Sequence, residues 1–244
     1  MYKRILCTLL CVLLLTPACA LAEEKMFYLT IDDTPSDKTG AILDLLQEAG
    51  IPATFFVVGY PALHTEECWE NLRRIEADGH TLACHGYNHA RTSLGTPEQL
   101  EREVRNFNNA MTEILGHDYK AQLFRFPYGS TNEYYTSAVR RKTAELGMLH
   151  VDWNASNGDG TESFQSDDEM FRYAVRSVPR EGDVVMLVHE NLQRTVRVLP
   201  RIIEYFREQG YTFARLEPDT DLSNCLRLSH GPYPELSTAT GSAQ

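Results

Sequence analysis

Short β-branched and aromatic runs alternate with amphipathic segments along the whole chain, and this alternation limits the possible folds more than any other feature. The runs that read as strands are 27–31, 53–58, 81–84, 123–126, 148–153, 183–188 and 211–216. The segments that read as helices are 39–49, 66–78, 97–115, 132–146, 167–177 and 193–208. Gly50, Gly79, Gly116, Gly147 and Gly210 stand where helices stop, the expected punctuation for left-handed helix ends. Strands that alternate with helices imply an α/β fold with a parallel sheet, either open or closed into a barrel. No repeat or linker divides the chain, and 244 residues, 43% of them apolar, suffice for one core. Lys and Arg number 23 against 34 Asp and Glu, a net charge of −11. That balance argues against a nucleic-acid partner, which needs clustered cations.

The two ends read differently from the middle. In residues 1–22, Lys3 and Arg4 precede an apolar run from Ile5 to Leu15, and Ala18-Cys19-Ala20 and Ala20-Leu21-Ala22 offer small-x-small sites. The run is about half of a ~20-residue membrane span. A cleaved secretory signal is therefore expected, with a retained anchor as the alternative. The mature chain would then be extracytoplasmic, with no transmembrane segment. Residues 217–244 are polar and rich in Ser, Thr and Pro, which predicts a flexible tail. The folded domain is thus expected over 23–216. Cys7, Cys11 and Cys19 fall in the leader, leaving Cys68, Cys84 and Cys225. Sequence does not decide their pairing, and one disulfide with one free thiol is possible.

Unusual polar residues gather at strand ends. Asp32 and Asp33 follow the first strand, His85 and His89 the third, and Arg125 ends the fourth. Asp152 and Trp153 end the fifth, and His189 ends the sixth. In a parallel α/β fold the carboxyl ends share one face, so these side chains are expected to converge. Asp33, His85 and His89 form a two-His, one-carboxylate set suited to Zn²⁺ or another first-row divalent ion. Asp32 is then free to act as a general base, held ionised by Arg125. His189 has the chemistry of a general acid, and Asp152 is expected to fix its tautomer and raise its pKa. Trp153 and Leu187 would wall a small apolar pocket. No glycine-rich phosphate loop or Gly-x-Ser-x-Gly elbow is present.

LTIDDTPS (29–36), ATFFVVG (53–59), HGYNH (85–89), RFPYGS (125–130), VDWN (151–154) and LVH (187–189) resemble, in order and spacing, the polysaccharide deacetylases. These form carbohydrate esterase family four, the NodB-homology domain, and the resemblance spans roughly residues 26–216. It implies a distorted (β/α)7-type barrel of parallel strands with one active-site face at the strand C-termini. It also implies one divalent metal, with Zn²⁺ expected and Co²⁺, Mn²⁺, Fe²⁺ or Ni²⁺ as alternatives, beside a groove for a glycan chain. By resemblance, Asp32 is the base, Asp33, His85 and His89 the metal ligands, and His189 the acid. Arg125 orients the base and Asp152 tunes the acid. The backbone N–H of Tyr128 serves the oxyanion, and Trp153 and Leu187 hold the acetyl methyl.

Four positions depart from the family pattern: Ile31, Thr34, Gly86 and Glu190. If the turn at Thr34 required a positive φ, its side chain would be strained by about 1–2 kcal/mol. Gly86 loses a hydroxyl expected to buttress the loop. Residues 154–166 form a long polar loop. The expected function is a secreted N-deacetylase acting on a GlcNAc- or MurNAc-containing polysaccharide, with peptidoglycan the expected substrate and a monomer the expected state. The alternatives are an O-acetyl-xylan esterase using the same site and a glycan-binding relative without turnover.

Overall fold

The computed structural model describes residues 24–231. The leader, 1–22, and the end of the chain, 232–244, lie outside the described residues, as do Cys7, Cys11 and Cys19.

Among the described residues eight strands form one sheet whose ladders are all parallel. They are β1 (Lys25–Thr34), β2 (Thr54–Val57), β3 (Thr81–Cys84), β4 (Leu123–Phe124), β5 (Leu149–His150), β6 (Ala155–Ser156), β7 (Val184–His189) and β8 (Tyr211–Ala214). The spatial order is β5-β4-β3-β2-β1-β7-β6, with β8 on β1. β7 pairs with β1 from Phe27 to Asp32. β1's other edge is shared, with β8 along Lys25–Tyr28 and β2 along Thr30–Thr34. The sheet curls into an incomplete barrel with helices outside, in agreement with the distorted barrel expected from sequence. β6 is an eighth strand that the sequence pattern did not show, because two residues carry no periodicity.

Among the described residues seven helices flank the sheet: α1 (Thr39–Ala49), α2 (Gly59–Ala62), α3 (Glu66–Ala77), α4 (Pro97–Leu115), α5 (Ser137–Glu145), α6 (Asp167–Ser177) and α7 (Gln193–Glu208). α4 is the best defined by its own sequence. Thr96 and Gln99 form a reciprocal capping box, Pro97 opens the helix, and Gly116 closes it at φ 76°. α5 begins later than the expected residue 132. Its cap is Thr136, whose hydroxyl accepts from the Val139 N–H, while Asn132–Tyr135 form a turn instead.

The pleat of the strands separates two cores. Phe27, Leu29 and Ile31, with Phe55 and Val57, Val184, Met186 and Val188, face outward against the helices. Tyr28, Phe56, Ala83, Leu123, Val151 and Val185 face the barrel interior. Leu216, Leu222 and Cys225 complete this inner core. The expected flexible tail is therefore corrected for residues 217–231. Val151 bridges His230, Asp152 N–H donates to Ser229 O at 2.9 Å, and Gly231 N–H donates to His150 O at 2.9 Å. Three apolar side chains scattered among polar ones do not register as an element, yet together they plug the lower mouth of the barrel. Cys68, Cys84 and Cys225 are all free thiols. Cys84 lies in the outer core, where burial pushes its thiol pKa up.

Leu222 is 3% exposed in that plug, so Leu222→Ala is expected to destabilise the protein by about 2–5 kcal/mol, read from the urea midpoint. A loose tail would give a change within about 0.5 kcal/mol.

Candidate active site

The same alternation that builds the inner core delivers polar side chains to its upper end. Tyr28, Thr30 and Asp32 share one face of β1, Ala83 and His85 one face of β3 and its extension, and Val185, Leu187 and His189 one face of β7. Asp32 and His189 are register partners across the β1–β7 ladder. Asp33 should point the other way, but it adopts φ 66° where the β1–β2 register shifts. This break in the pleat lets two adjacent carboxylates line one cavity of about 640 Å³, together with His85, His89, Tyr128, Trp153, Leu187 and His189. His89 and Tyr128 also have positive φ, 55° and 66°. Such conformations cost about 1–3 kcal/mol each and persist where the surroundings enforce them.

Asp33, His85 and His89 offer ligand atoms that lie together. Asp33 Oδ1 is 3.2 Å from His89 Nε2 and 3.8 Å from His85 Nε2, and the two Nε2 atoms are 3.2 Å apart. Four-coordinate sites with bonds of about 2.0–2.1 Å have ligand–ligand edges of roughly 3.4 Å, so the triangle fits. His85 Nδ1 lies 2.8 Å from Arg125 O. A carbonyl only accepts, so Nδ1 carries the proton and Nε2 presents a lone pair to the triangle. Burial, followed by the nearby charge of His89, lowers the His85 pKa to about 3, so this imidazole stays neutral. Lone pairs and carboxylate oxygens that converge in this way could hold a divalent cation.

Arg125 is fully buried and supports the neighbouring carboxylate. Its NH1 donates to Asp32 Oδ1 at 2.8 Å and Thr30 Oγ1 at 2.7 Å, its Nε to Val151 O at 2.9 Å, and its NH2 to Asp152 O at 3.0 Å. Burial raises the Asp32 pKa and the Arg125 charge opposes the rise. The result is a carboxylate held in one orientation and made more basic than an exposed one.

The partner of His189 is not the one expected. Val151 and Trp153 face the barrel interior, so Asp152 between them turns away. Its carboxylate accepts from Ser130 N–H at 2.9 Å and Ser130 Oγ at 2.6 Å. Asp159 takes the expected role: its Oδ1 is 2.7 Å from His189 Nδ1, and its Oδ2 accepts from His189 N–H at 2.8 Å and Thr195 Oγ1 at 2.7 Å. Burial works against a charged His189, but the hydrogen bond and charge of Asp159, with Asp32 and Asp33, outweigh it and raise the pKa to about 9. Asp159 sits in the long 154–166 loop, and its only sequence signal was an acidic residue in a run of Asn, Gly and Ser.

The departures also find their reasons. Thr34 is not at positive φ; the left-handed residue is Asp33. Thr34 Oγ1 donates to Glu190 Oε2 at 3.0 Å, and Thr39 Oγ1 donates to Glu190 Oε1 at 2.5 Å. Two of the unusual residues are thus partners in one buried hydrogen-bond group beneath the aspartates. Gly86 has φ 85°, where a Ser or Thr would be strained. The buttress of the His85–His89 loop comes from Glu103 on α4. Its carboxylate accepts from Tyr87 N–H at 2.8 Å, Asn88 N–H at 2.9 Å and Asn88 Nδ2 at 2.8 Å. Sequence gave no hint of this, because Glu103 lies within an ordinary helical pattern.

Residues 21–150 match the polysaccharide deacetylase family. YheN of Bacillus subtilis, which carries the same family description, is 32% identical over 202 residues, covering 80% of this chain and 68% of its own. A peptidoglycan-N-acetylglucosamine deacetylase of Bacillus cereus is 28% identical over 197 residues, covering 78% and 69%. Among solved structures, a family-four carbohydrate esterase from Streptococcus mutans superposes with a TM-score of 0.73 at 30% identity, covering 80% of this chain and 87% of its own. The chain belongs to the polysaccharide deacetylase family, and it is a hydrolase of that class.

A protonated His189 is expected across neutral pH, with kcat/KM falling as pH rises through its pKa. In Asp159→Asn the largest raising influence is gone and burial is opposed only by the charges of Asp32 and Asp33, so the alkaline limb moves to lower pH and activity at pH 8 drops by on the order of tenfold or more. Asp152→Asn leaves that limb in place. A pH–rate profile of the two variants checks both outcomes.

Proposed function

We propose that this protein is a secreted, metal-dependent hydrolase that removes N-acetyl groups from a GlcNAc- or MurNAc-containing polysaccharide, peptidoglycan above all. The observation that carries the reading is the joint placement, on one cavity, of the Asp33–His85–His89 triangle, the Asp32–Arg125 pair and the His189–Asp159 pair. Asp33, His85 and His89 would hold the ion, with Zn²⁺ favoured by the mixed nitrogen and oxygen donors. When bound, it supplies Lewis-acid polarisation of the acetamido carbonyl and acidifies water.

The chain's own residues do the rest. Asp32 takes a proton from the attacking water, its unused oxygen directed to the site because Arg125 holds the other. The N–H of Tyr128 makes no hydrogen bond among the described residues and is available to the developing oxyanion. Trp153 and Leu187, both on the cavity wall, exclude water around the acetyl methyl. His189 gives its proton to the departing nitrogen. An amine is a poor leaving group without that proton, whereas an ester oxygen needs it less. The strong Asp159–His189 pair therefore favours amide over ester hydrolysis. The basic n-region and apolar run of residues 1–22 support export.

Acetate release is expected from GlcNAc oligomers and peptidoglycan, lost on chelation and restored by added Zn²⁺. Asp32→Asn should lower kcat by ~10³-fold or more. His189→Ala should cost ~10²–10⁴-fold on the N-acetylated substrate and less on an O-acetylated xylan. Release from acetylated xylan alone, indifferent to His189, would overturn the amide reading. In a separate competition titration with a chromogenic chelator, His89→Ala is expected to lose zinc affinity by about tenfold or more.

A further inference from the structure

One charged group on the cavity wall has no part in this chemistry. Arg91, in the 3-10 turn Arg91–Ser93 that follows the His85–His89 loop, is the only arginine or lysine among the described residues lining the cavity. Its guanidinium carbon lies 3.9 Å from the ring centre of Tyr128 and 5.4 Å from that of Tyr134. Both rings are about half exposed. The Arg91 Nε is buried and has no hydrogen-bond partner, and no carboxylate among the described residues pairs with this side chain. An unsatisfied buried donor costs about 1–3 kcal/mol and so calls for an acceptor that the described residues do not supply.

The stacking defines what that acceptor is. A guanidinium laid on aromatic faces keeps its in-plane N–H groups free, and that planar fork matches a carboxylate in bidentate fashion. The Tyr128 ring stands 5.1 Å from the His89 ring, so one aromatic ring separates Arg91 from the metal-ligand group. The chain carries a net charge of −11, and Asp32, Asp33 and Asp159 share the cavity. A cation here is therefore a local feature and not part of a general basic surface.

We propose that Arg91, stacked on Tyr128 and Tyr134, forms a carboxylate-binding subsite that favours N-acetylated glycans carrying an acidic sugar beside the acetamido group to be hydrolysed. The inference rests on the deacetylase reading and narrows it. A homopolymer of neutral amino sugars leaves the fork empty, whereas a glycan with a free lactyl or uronic carboxylate fills it.

The test uses four tetrasaccharides on the zinc-loaded enzyme. They are chitotetraose, a denuded peptidoglycan fragment with free lactyl carboxylates, the same fragment with those groups amidated, and a hyaluronan fragment bearing uronic carboxylates. Acetate release gives kcat/KM for wild type, Arg91→Gln and Arg91→Lys, and calorimetry on the Asp32→Asn background gives affinity without turnover. The expected result is a wild-type preference for free over amidated carboxylate that shrinks by about tenfold or more in Arg91→Gln and is partly recovered in Arg91→Lys. Acidic but not neutral binding should also weaken as salt rises from about 0.05 M to about 0.5 M. Preference for the lactyl or for the uronic fragment identifies the source of the carboxylate. Equal loss on acidic and neutral glycans with unchanged thermal melting, or no wild-type preference between the free and amidated fragments, would overturn the proposal. If Arg91→Gln does not fold, the wild-type comparison and its salt dependence decide. If no fragment releases acetate, the deacetylase reading fails, while the calorimetric comparison still decides the subsite.

Discussion

The buried guanidinium of Arg125 is the contact on which the rest of the site depends. It joins the end of β4 to β1 through Thr30 and Asp32 and to the segment after β5 through the carbonyls of Val151 and Asp152. It lies 4.1 Å from the centre of the Phe56 ring. Removing one member of a buried charge pair leaves the other uncompensated, at about 3–5 kcal/mol. Here the penalty would fall on Asp32, the carboxylate proposed as the base. The carbonyl of Arg125 also receives the His85 ring, so a single residue orients both the Asp32 carboxylate and the His85 imidazole.

A second constraint is the pleat and the place where it fails. Along β1, β3 and β7 strict alternation sends apolar side chains into two separate cores and directs Asp32, His85 and His189 to the upper mouth of the barrel. Alternation alone would have sent Asp33 outward. The left-handed turn at Asp33 rotates it back, and the hydrogen bonds of Thr34 and Thr39 to buried Glu190 brace the chain directly beyond it. Burial raises the Glu190 pKa and the three donors, Thr39 first, then Ser36 and Thr34, work against it. Thr34 and Glu190 read as separate departures along the chain. In the fold they are a matched pair, which is why neither disturbs the aspartates.

The loop that brings His89 round to His85 is braced in the same manner. Glu103 gathers two backbone N–H groups and one amide from Tyr87 and Asn88, replacing the hydroxyl that glycine at position 86 cannot supply. Much of this architecture was legible beforehand. Strands, helices and their glycine stops follow from local periodicity, and the gathering of Asp32, Asp33, His85, His89, Arg125 and His189 follows from a parallel sheet whose strand ends share a face. Asp152 and Asp159 show where such reading stops. Both are aspartates near a strand end, and only the direction of each side chain tells them apart.

Sequence by itself therefore determined the elements, their order, the parallel sheet and the residue types that meet at its carboxyl edge, because these depend on periods of two and about 3.6 residues within short windows. Tertiary structure alone decided that Asp159 and not Asp152 holds His189, that residues 217–231 plug the barrel, that Glu190 seats Thr34, and that Arg91 Nε has no acceptor among the described residues. Those outcomes depend on side-chain direction and on contacts between residues far apart in the chain, and no local pattern encodes either one.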